Sequence, residues 1–189
     1  MNLLLHSTPT ALWHSIIHNA EETCSVFLKE ELEAYLVFLL SRYTTKPEFV
    51  NQLIAHEFLR AMASTPAERN QALKDVGDKC LLFAGLFPSI AEKRLVKLSY
   101  FVKLGQAAYI GMSAKENDLY ESLAEQFVSM MDILQSIRYH SKEHAELLPL
   151  QAYEVWSETG SQRALSILKQ YTSSIPFILD NHDIRFTKK

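Results

Sequence analysis

The chain has 189 residues, of which 48% are apolar and 22% charged, a composition that is typical of a globular domain and excludes a disordered chain. Nineteen basic and 22 acidic residues give a net charge of −3, which provides no electrostatic reason to expect a nucleic acid or an anionic membrane as partner. The two cysteines, Cys24 and Cys80, are far apart in apolar stretches and predict two buried thiols in a reducing compartment.

No segment of the sequence predicts targeting or membrane insertion. The N-terminus lacks the basic residues of a signal peptide, and the longest apolar run, 34–40, is seven residues. A membrane-spanning helix needs about 20 apolar residues. We therefore expect a cytoplasmic protein, and leave open an export route through a dedicated secretion system.

Apolar residues recur at helical spacing along the whole chain, and no stretch alternates as a half-buried strand would. The connections are short, which favours antiparallel neighbours. The sequence predicts an all-α fold, a compact single-domain antiparallel bundle of about seven to eight helices over 1–179, with a polar tail at 180–189. The predicted helices cover 8–20, 21–43, 47–63, 66–87, 89–111, 115–139, 150–159 and 162–172.

Capping boxes mark the starts of several predicted helices. In this signature a Ser or Thr hydroxyl accepts from the N3 amide while a Glu three residues later reaches back to the cap's own amide. Four matches precede apolar helical patterns: Thr45 with Glu48, Thr65 with Glu68, Ser89 with Glu92, and Ser113 with Glu116. They predict where helices begin and do not indicate a catalytic or binding function.

Glycines are concentrated in the fourth and fifth predicted helices. A glycine within a helix costs about 1 kcal/mol relative to alanine, so each needs a compensating role. The first interpretation is close packing of the two helices. The second is a gap that admits a ligand, for which the candidate binding residues are Gly77, Asp78, Tyr100 and Gly105.

The same region resembles an uncharacterised family of bacterial all-helical proteins. The resemblance covers about 35 residues and implies a cytosolic all-α protein without an assigned activity, and it carries over no catalytic residue. The residues that carry it are Gly77-Asp78-x-Cys80, Ala84-Gly85-Leu86-Phe87-Pro88, Ser99-Tyr100-Phe101, Gly105 and Ala108-Tyr109.

Histidine spacing provides the basis for a metal hypothesis. His140 and His144 are four residues apart and match H-x-x-E-H, which places both imidazoles on one face of a helix. His56 and Glu57 form a second candidate pair of metal ligands. The predicted number of helices and the chain length also match the haem-oxygenase-like size class, which is an analogy of size alone. The Glu-x-x-His motif of di-iron bundles is absent, which argues against a di-iron site. We expect no cofactor and name no catalytic residue.

Aromatic residues near the predicted bundle ends are candidate anchors for a partner. Trp and Tyr dominate binding hot spots, and Trp13, Tyr153 and Trp156 are candidates. The favoured interpretation of these three side chains is nevertheless that they close the ends of the core. The favoured function is a non-enzymatic interaction module that binds an unknown protein or itself. The alternative is a metal- or ligand-dependent helical protein, and whether the chain is an enzyme stays open.

Overall fold

The computed structural model describes residues 8–45, 54–88, 96–112, 118–140 and 147–172, and this part of the chain contains nine α-helices and no strand. The all-α class predicted from the sequence is confirmed. None of the helices in these ranges is long and apolar enough to cross a membrane. The helices are α1 (Pro9–Cys24), α2 (Glu30–Thr45), α3 (Ile54–Ala63), α4 (Pro66–Leu86), α5 (Leu98–Ile110), α6 (Asp118–Glu125), α7 (Phe127–His140), α8 (Pro149–Thr159) and α9 (Gln162–Tyr171).

The described residues form two compact units, one within residues 1–146 and the other from residue 147 onward. The first contains α1 to α7 and the second contains α8 and α9. Each unit has buried apolar residues of its own. The assignment of residues 1–179 to one domain stays a prediction.

Helix α4 lies at the centre of the first unit. It packs against α3, α5 and α7, while α1 packs against α2 and α7. Every residue from 76 to 85 is buried, so this part of α4 is enclosed on all sides. A helix that is enclosed all round needs apolar residues all round. This explains why residues 80–84 read Cys-Leu-Leu-Phe-Ala without a polar face.

The boundary between the first two helices lies later than the sequence predicted. The predicted break near residue 20 is wrong, because α1 continues to Cys24. The next residue, Ser25, caps the helix with a φ of 53°. The carboxylate of Glu21 stabilises the turn by accepting a 3.0 Å hydrogen bond from the Leu28 amide. A serine in the left-handed conformation gives a weaker stop signal in the sequence than glycine would.

The sixth predicted helix, 115–139, appears as two consecutive helices. Residues 113–117 lie outside the described ranges, α6 and α7 meet at Gln126, and 2.9 Å backbone hydrogen bonds run from Gln126 to Ser122 and from Met130 to Gln126. The hydrogen bonding therefore continues across the junction. Within the predicted apolar stripe, four residues are buried: Leu123, Phe127, Met130 and Leu134.

Only the capping box at Thr65 falls wholly where its side chains are described. Thr65 precedes α4 and Pro66 occupies the first turn, as predicted. The Thr65 hydroxyl donates a 3.0 Å hydrogen bond to Glu68 Oε2 and makes no cap bond to the backbone. The predicted cap bond between the Thr65 hydroxyl and the backbone is therefore wrong, and the hydroxyl pairs with the Glu68 side chain instead. The boxes at residues 45, 89 and 113 have partners outside the described residues.

The second unit is a helical hairpin of α8 and α9. The Gln151 side chain accepts a 3.1 Å hydrogen bond from the Leu148 amide at the start of α8. Gly160, with φ of 76°, ends α8 in a conformation that side-chain-bearing residues rarely adopt. Ser161 then caps α9 by accepting from the Ala164 amide at 3.0 Å. The two helices enclose a small core of Ala152, Ile167 and Leu168.

Candidate functional site

Of the two carboxylates among the candidate site residues, Asp78 and Glu57, Asp78 is the more deeply buried. It lies in the enclosed part of α4 and is 1% exposed. Its Oδ1 accepts hydrogen bonds from the Tyr35 hydroxyl of α2, at 2.5 Å, and from the Tyr109 hydroxyl of α5, at 2.9 Å. One carboxylate oxygen thus connects three helices, and we call these three residues the Asp78 cluster.

Two cations flank the Asp78 cluster. Arg42 places Nη1 3.6 Å from Asp78 Oδ2 and Nη2 3.0 Å from Asp75 Oδ1. The Lys74 ammonium lies 5.6 Å from the centre of the Tyr35 ring. Burial raises the pKa of Asp78, while the two tyrosine hydrogen bonds, Lys74 and Arg42 act in the opposite direction, and the net shift is upward.

Both tyrosines are held in their neutral form. Burial raises the pKa of Tyr109 well above its usual value, and the charge of Asp78 raises it further. The pKa of Tyr35 is raised for the same two reasons. The hydroxyls therefore keep their protons and remain donors to Asp78. The two hydrogen bonds to Asp78 connect α2 and α5 to α4.

The spaces beside two of the candidate ligand-binding glycines are occupied by side chains of this chain. A Cβ at Gly77 would overlap the ring of Tyr109, with Cδ1 at 2.7 Å. A Cβ at Gly105 would overlap the ring of Phe127 and lie 2.9 Å from the Cβ of Cys80. These contacts support the packing interpretation of the two glycines.

The four candidate ligand-binding residues do not all face one space. Gly77 contacts the tyrosine that binds Asp78, so these two belong together. Tyr100 is 40% exposed and packs edge-on against Phe101, whereas Gly105 is buried. A ligand-binding role for Gly77, Asp78, Tyr100 and Gly105 stays a prediction.

The candidate metal ligands are distributed as follows. Glu57 forms a 2.6 Å ion pair with Lys79, and His56 beside it is exposed. His140 is the last residue of α7, its side chain is outside the described residues, and so is the whole of His144. Within the described ranges no group of three or more His, Cys, Asp or Glu side chains could hold a metal ion.

The candidate partner anchors fall in different units. Trp13 is partly buried on α1 of the first unit. Tyr153 and Trp156 are partly buried on α8, with their ring centres 6.0 Å apart, and both pack against the small core of the second unit. The structure therefore brings Tyr153 and Trp156 together.

The apolar surface of α8 continues beyond these two aromatics. Leu150 is 71% exposed and lies three residues before Tyr153, which in turn lies three residues before Trp156. Residues three apart are neighbours on the surface of a helix. Leu150, Tyr153 and Trp156 thus form a strip, here called the hairpin strip, that runs from the small core to the solvent. Leu148, just before α8, is also 64% exposed.

The sequence did not predict the partners of Asp78 or the exposed end of the hairpin strip. Tyr35 is separated from Asp78 by 43 positions, and no spacing rule connects residues so far apart on different helices. Leu150 could have been found, because it follows Pro149 on the first turn of a helix and precedes two aromatics at helical spacing.

Comparisons of the chain with protein-family models, with curated proteins and with solved structures found no match. The resemblance to an uncharacterised bacterial family therefore stays a prediction.

Proposed function

We propose that this protein is a non-enzymatic interaction module that binds another protein through the hairpin strip. The observation that carries the proposal is the 71% exposure of Leu150 beside the partly buried Tyr153 and Trp156. Burying one leucine side chain stabilises a protein or a complex by about 1.5–3 kcal/mol. A leucine that is exposed to water does not make this contribution. A bound partner would recover it.

The hairpin strip has the composition of a binding hot spot. Trp and Tyr supply large contact areas at small entropic cost, and the energetically important residues of an interface cluster around such anchors. Tyr153 and Trp156 already pack against the small core of the second unit, so little further ordering would be needed on binding.

The charge next to the strip favours a basic edge on the partner. Glu154 is exposed four residues after Leu150 and has no ion pair among the described residues. We propose as partner a protein segment that presents an aliphatic side chain to Leu150 and a Lys or Arg to Glu154. Opposite charge at the rim of an interface favours the correct partner and its orientation.

A cytoplasmic location belongs to the same proposal. Cys24 and Cys80 are not joined by a disulfide, and Cys80 is 0% exposed. Free thiols are typical of proteins in reducing compartments. This supports the cytoplasm as the place where the partner would be met.

The test is affinity purification of the full-length chain from the cells that make it, with matched variants. We expect a partner that is retained in stoichiometric amount by the wild type and by Gln170→Asp, and lost in Leu150→Asp. Gln170 is exposed on α9 outside the hairpin strip, so it controls for the added charge. Glu154→Lys should also weaken retention.

Two results would contradict the proposal. One is that the wild type retains no partner, or that Leu150→Asp retains it as well as Gln170→Asp does. The other is stoichiometric iron or zinc in the purified protein that disappears in a His140→Ala/His144→Ala variant, which would favour a metal-dependent function.

A further inference from the structure

Helix α3 carries an exposed apolar surface beside its core contacts. It packs against α4, and Ile54 and Ala61 are its buried residues. Leu59 is 67% exposed and Met62 48% exposed, and Ala55 is exposed four residues before Leu59. The spacing of four and three residues places these side chains in one stripe, here called the α3 face.

A basic edge borders the α3 face. His56 and Arg60 are four residues apart and both are exposed. Among the described residues neither of them forms an ion pair, and the neighbouring Glu57 is engaged with Lys79 at 2.6 Å. The charge of Arg60 beside the α3 face therefore has no ion-pair partner among the described residues.

Helix α2 carries an exposed apolar stripe with an acidic edge, opposite in charge to the edge of the α3 face. Phe38 is 70% exposed and Ala34, four residues earlier, is also exposed. Glu30 and Glu31 lie in the first turn and are exposed, and Glu31 is seven residues from Phe38, on the same side of the helix. Ala34 and Phe38, with this acidic edge, are here called the α2 face.

We propose that the α3 face of one copy binds the α2 face of a second copy. Leu59 and Met62 would pack against Phe38, and Arg60 would lie beside Glu31. The argument is charge complementarity, because the two apolar faces of the same chain carry opposite charges at their edges.

Pairing of identical faces is less favourable. Two α3 faces would bring Arg60 close to its own copy. Two α2 faces would bring the acidic edges together, and the cation at the far end of α2, Arg42, is already engaged with Asp75 and Asp78. The contact is therefore between different surfaces, and such contacts build rings or open chains. It uses none of the residues of the hairpin strip.

The test is sedimentation velocity of the full-length chain over about 5 to 500 µM, a range that covers weak self-association. We expect the wild type to associate with increasing concentration. Arg60→Glu and Glu31→Arg should each raise the dissociation constant by about tenfold or more, because each places like charges together. The double variant Arg60→Glu/Glu31→Arg should restore association, since it re-creates the pair with reversed signs.

Three controls make the outcome specific. Lys103→Glu reverses an exposed charge on α5 and should leave association unchanged. Leu150→Asp should also leave it unchanged, which separates this surface from the proposed partner-binding strip. Leu59→Asp should abolish association while the circular dichroism signal of the helices is retained.

The proposal is overturned if the wild type sediments as a monomer at every concentration. It is also overturned if the single charge reversals have no effect, or if the double variant is no better than either single one. Loss of association in Leu150→Asp alone would assign self-association to the hairpin strip instead.

Discussion

The hydroxyl of Tyr109 on α5 donates a 2.9 Å hydrogen bond to the carboxylate of Asp78 on α4, and both residues are buried. Tyr35 on α2 donates to the same oxygen. A buried carboxylate is costly unless it is hydrogen-bonded, so the positions of the three helices are tied to one another through Asp78.

Removal of one donor to Asp78 should destabilise the fold. Tyr109→Phe deletes only the hydroxyl and leaves a buried carboxylate with one fewer partner. We expect the free energy of unfolding to fall by about 1–3 kcal/mol. The measurement is urea unfolding followed by circular dichroism. Tyr100→Phe, at a 40% exposed position, is the matched control and should change stability by less than about 0.5 kcal/mol. Equal effects of the two changes would contradict a structural role for the bond.

The raised pKa of Asp78 gives the stability of the protein a pH dependence of defined sign. Because burial raises this pKa above its value of about 3.9 in an unfolded chain, the contribution of Asp78 is fully present below that value and is lost as the pH rises through the folded-state pKa. Asp78→Asn keeps the shape and an oxygen acceptor but cannot ionise. We expect the stability of the variant, measured by urea unfolding, to fall less than that of the wild type as the pH rises above about 4. Parallel pH profiles would show that Asp78 does not titrate differently in the folded state.

Gly105 should not tolerate a methyl group. A Cβ there would overlap Phe127 and lie 2.9 Å from the Cβ of Cys80, which is fixed to the backbone of α4. We expect Gly105→Ala to destabilise the protein by about 1–3 kcal/mol, although alanine is the better helix former. Ala107→Gly, at an exposed position of the same helix, measures helix propensity alone and should cost about 1 kcal/mol. A stabilising Gly105→Ala would mean that the space beside Gly105 is open.

Cys80 should be unreactive in the folded protein. Burial raises the pKa of its thiol, the charge of Glu57 raises it further, and Lys79 only partly opposes them. Because the thiolate is the reactive form, we expect almost no reaction of a Cys24→Ser variant with an aromatic disulfide reagent under native conditions. Full reaction in denaturant is the control. Rapid native labelling would indicate that the enclosed part of α4 is accessible to solvent.

The sequence predicted the helical architecture because its signals are local. The apolar spacing of α7 and Pro66 at the start of α4 act within a few residues, and both are found where they were predicted. The end of α1 was predicted too early. Ser25 adopts the left-handed φ that ends the helix, a conformation for which glycine is the usual sequence signal.

The tertiary partners of the candidate site could not be predicted from the sequence, and the reason is physical. Asp78 lies close to an apolar run, and the sequence does not say whether such a carboxylate is buried or exposed. Its burial depends on the hydroxyls of Tyr35 and Tyr109, which lie on other helices and donate hydrogen bonds to it. Likewise, Leu150 reads as an ordinary first-turn residue until its 71% exposure is known. Exposure depends on how distant helices pack, which helical periodicity does not specify.

Binding through the hairpin strip can be tested inside cells with a photo-reactive benzoyl-phenylalanine placed at Leu150 and, in a second strain, at Gln170. Both positions are exposed, and only the first belongs to the strip. We expect irradiation to link one defined protein to the residue at position 150, with no such adduct from position 170. The absence of an adduct at position 150, or the same adducts from both positions, would contradict partner binding at this strip.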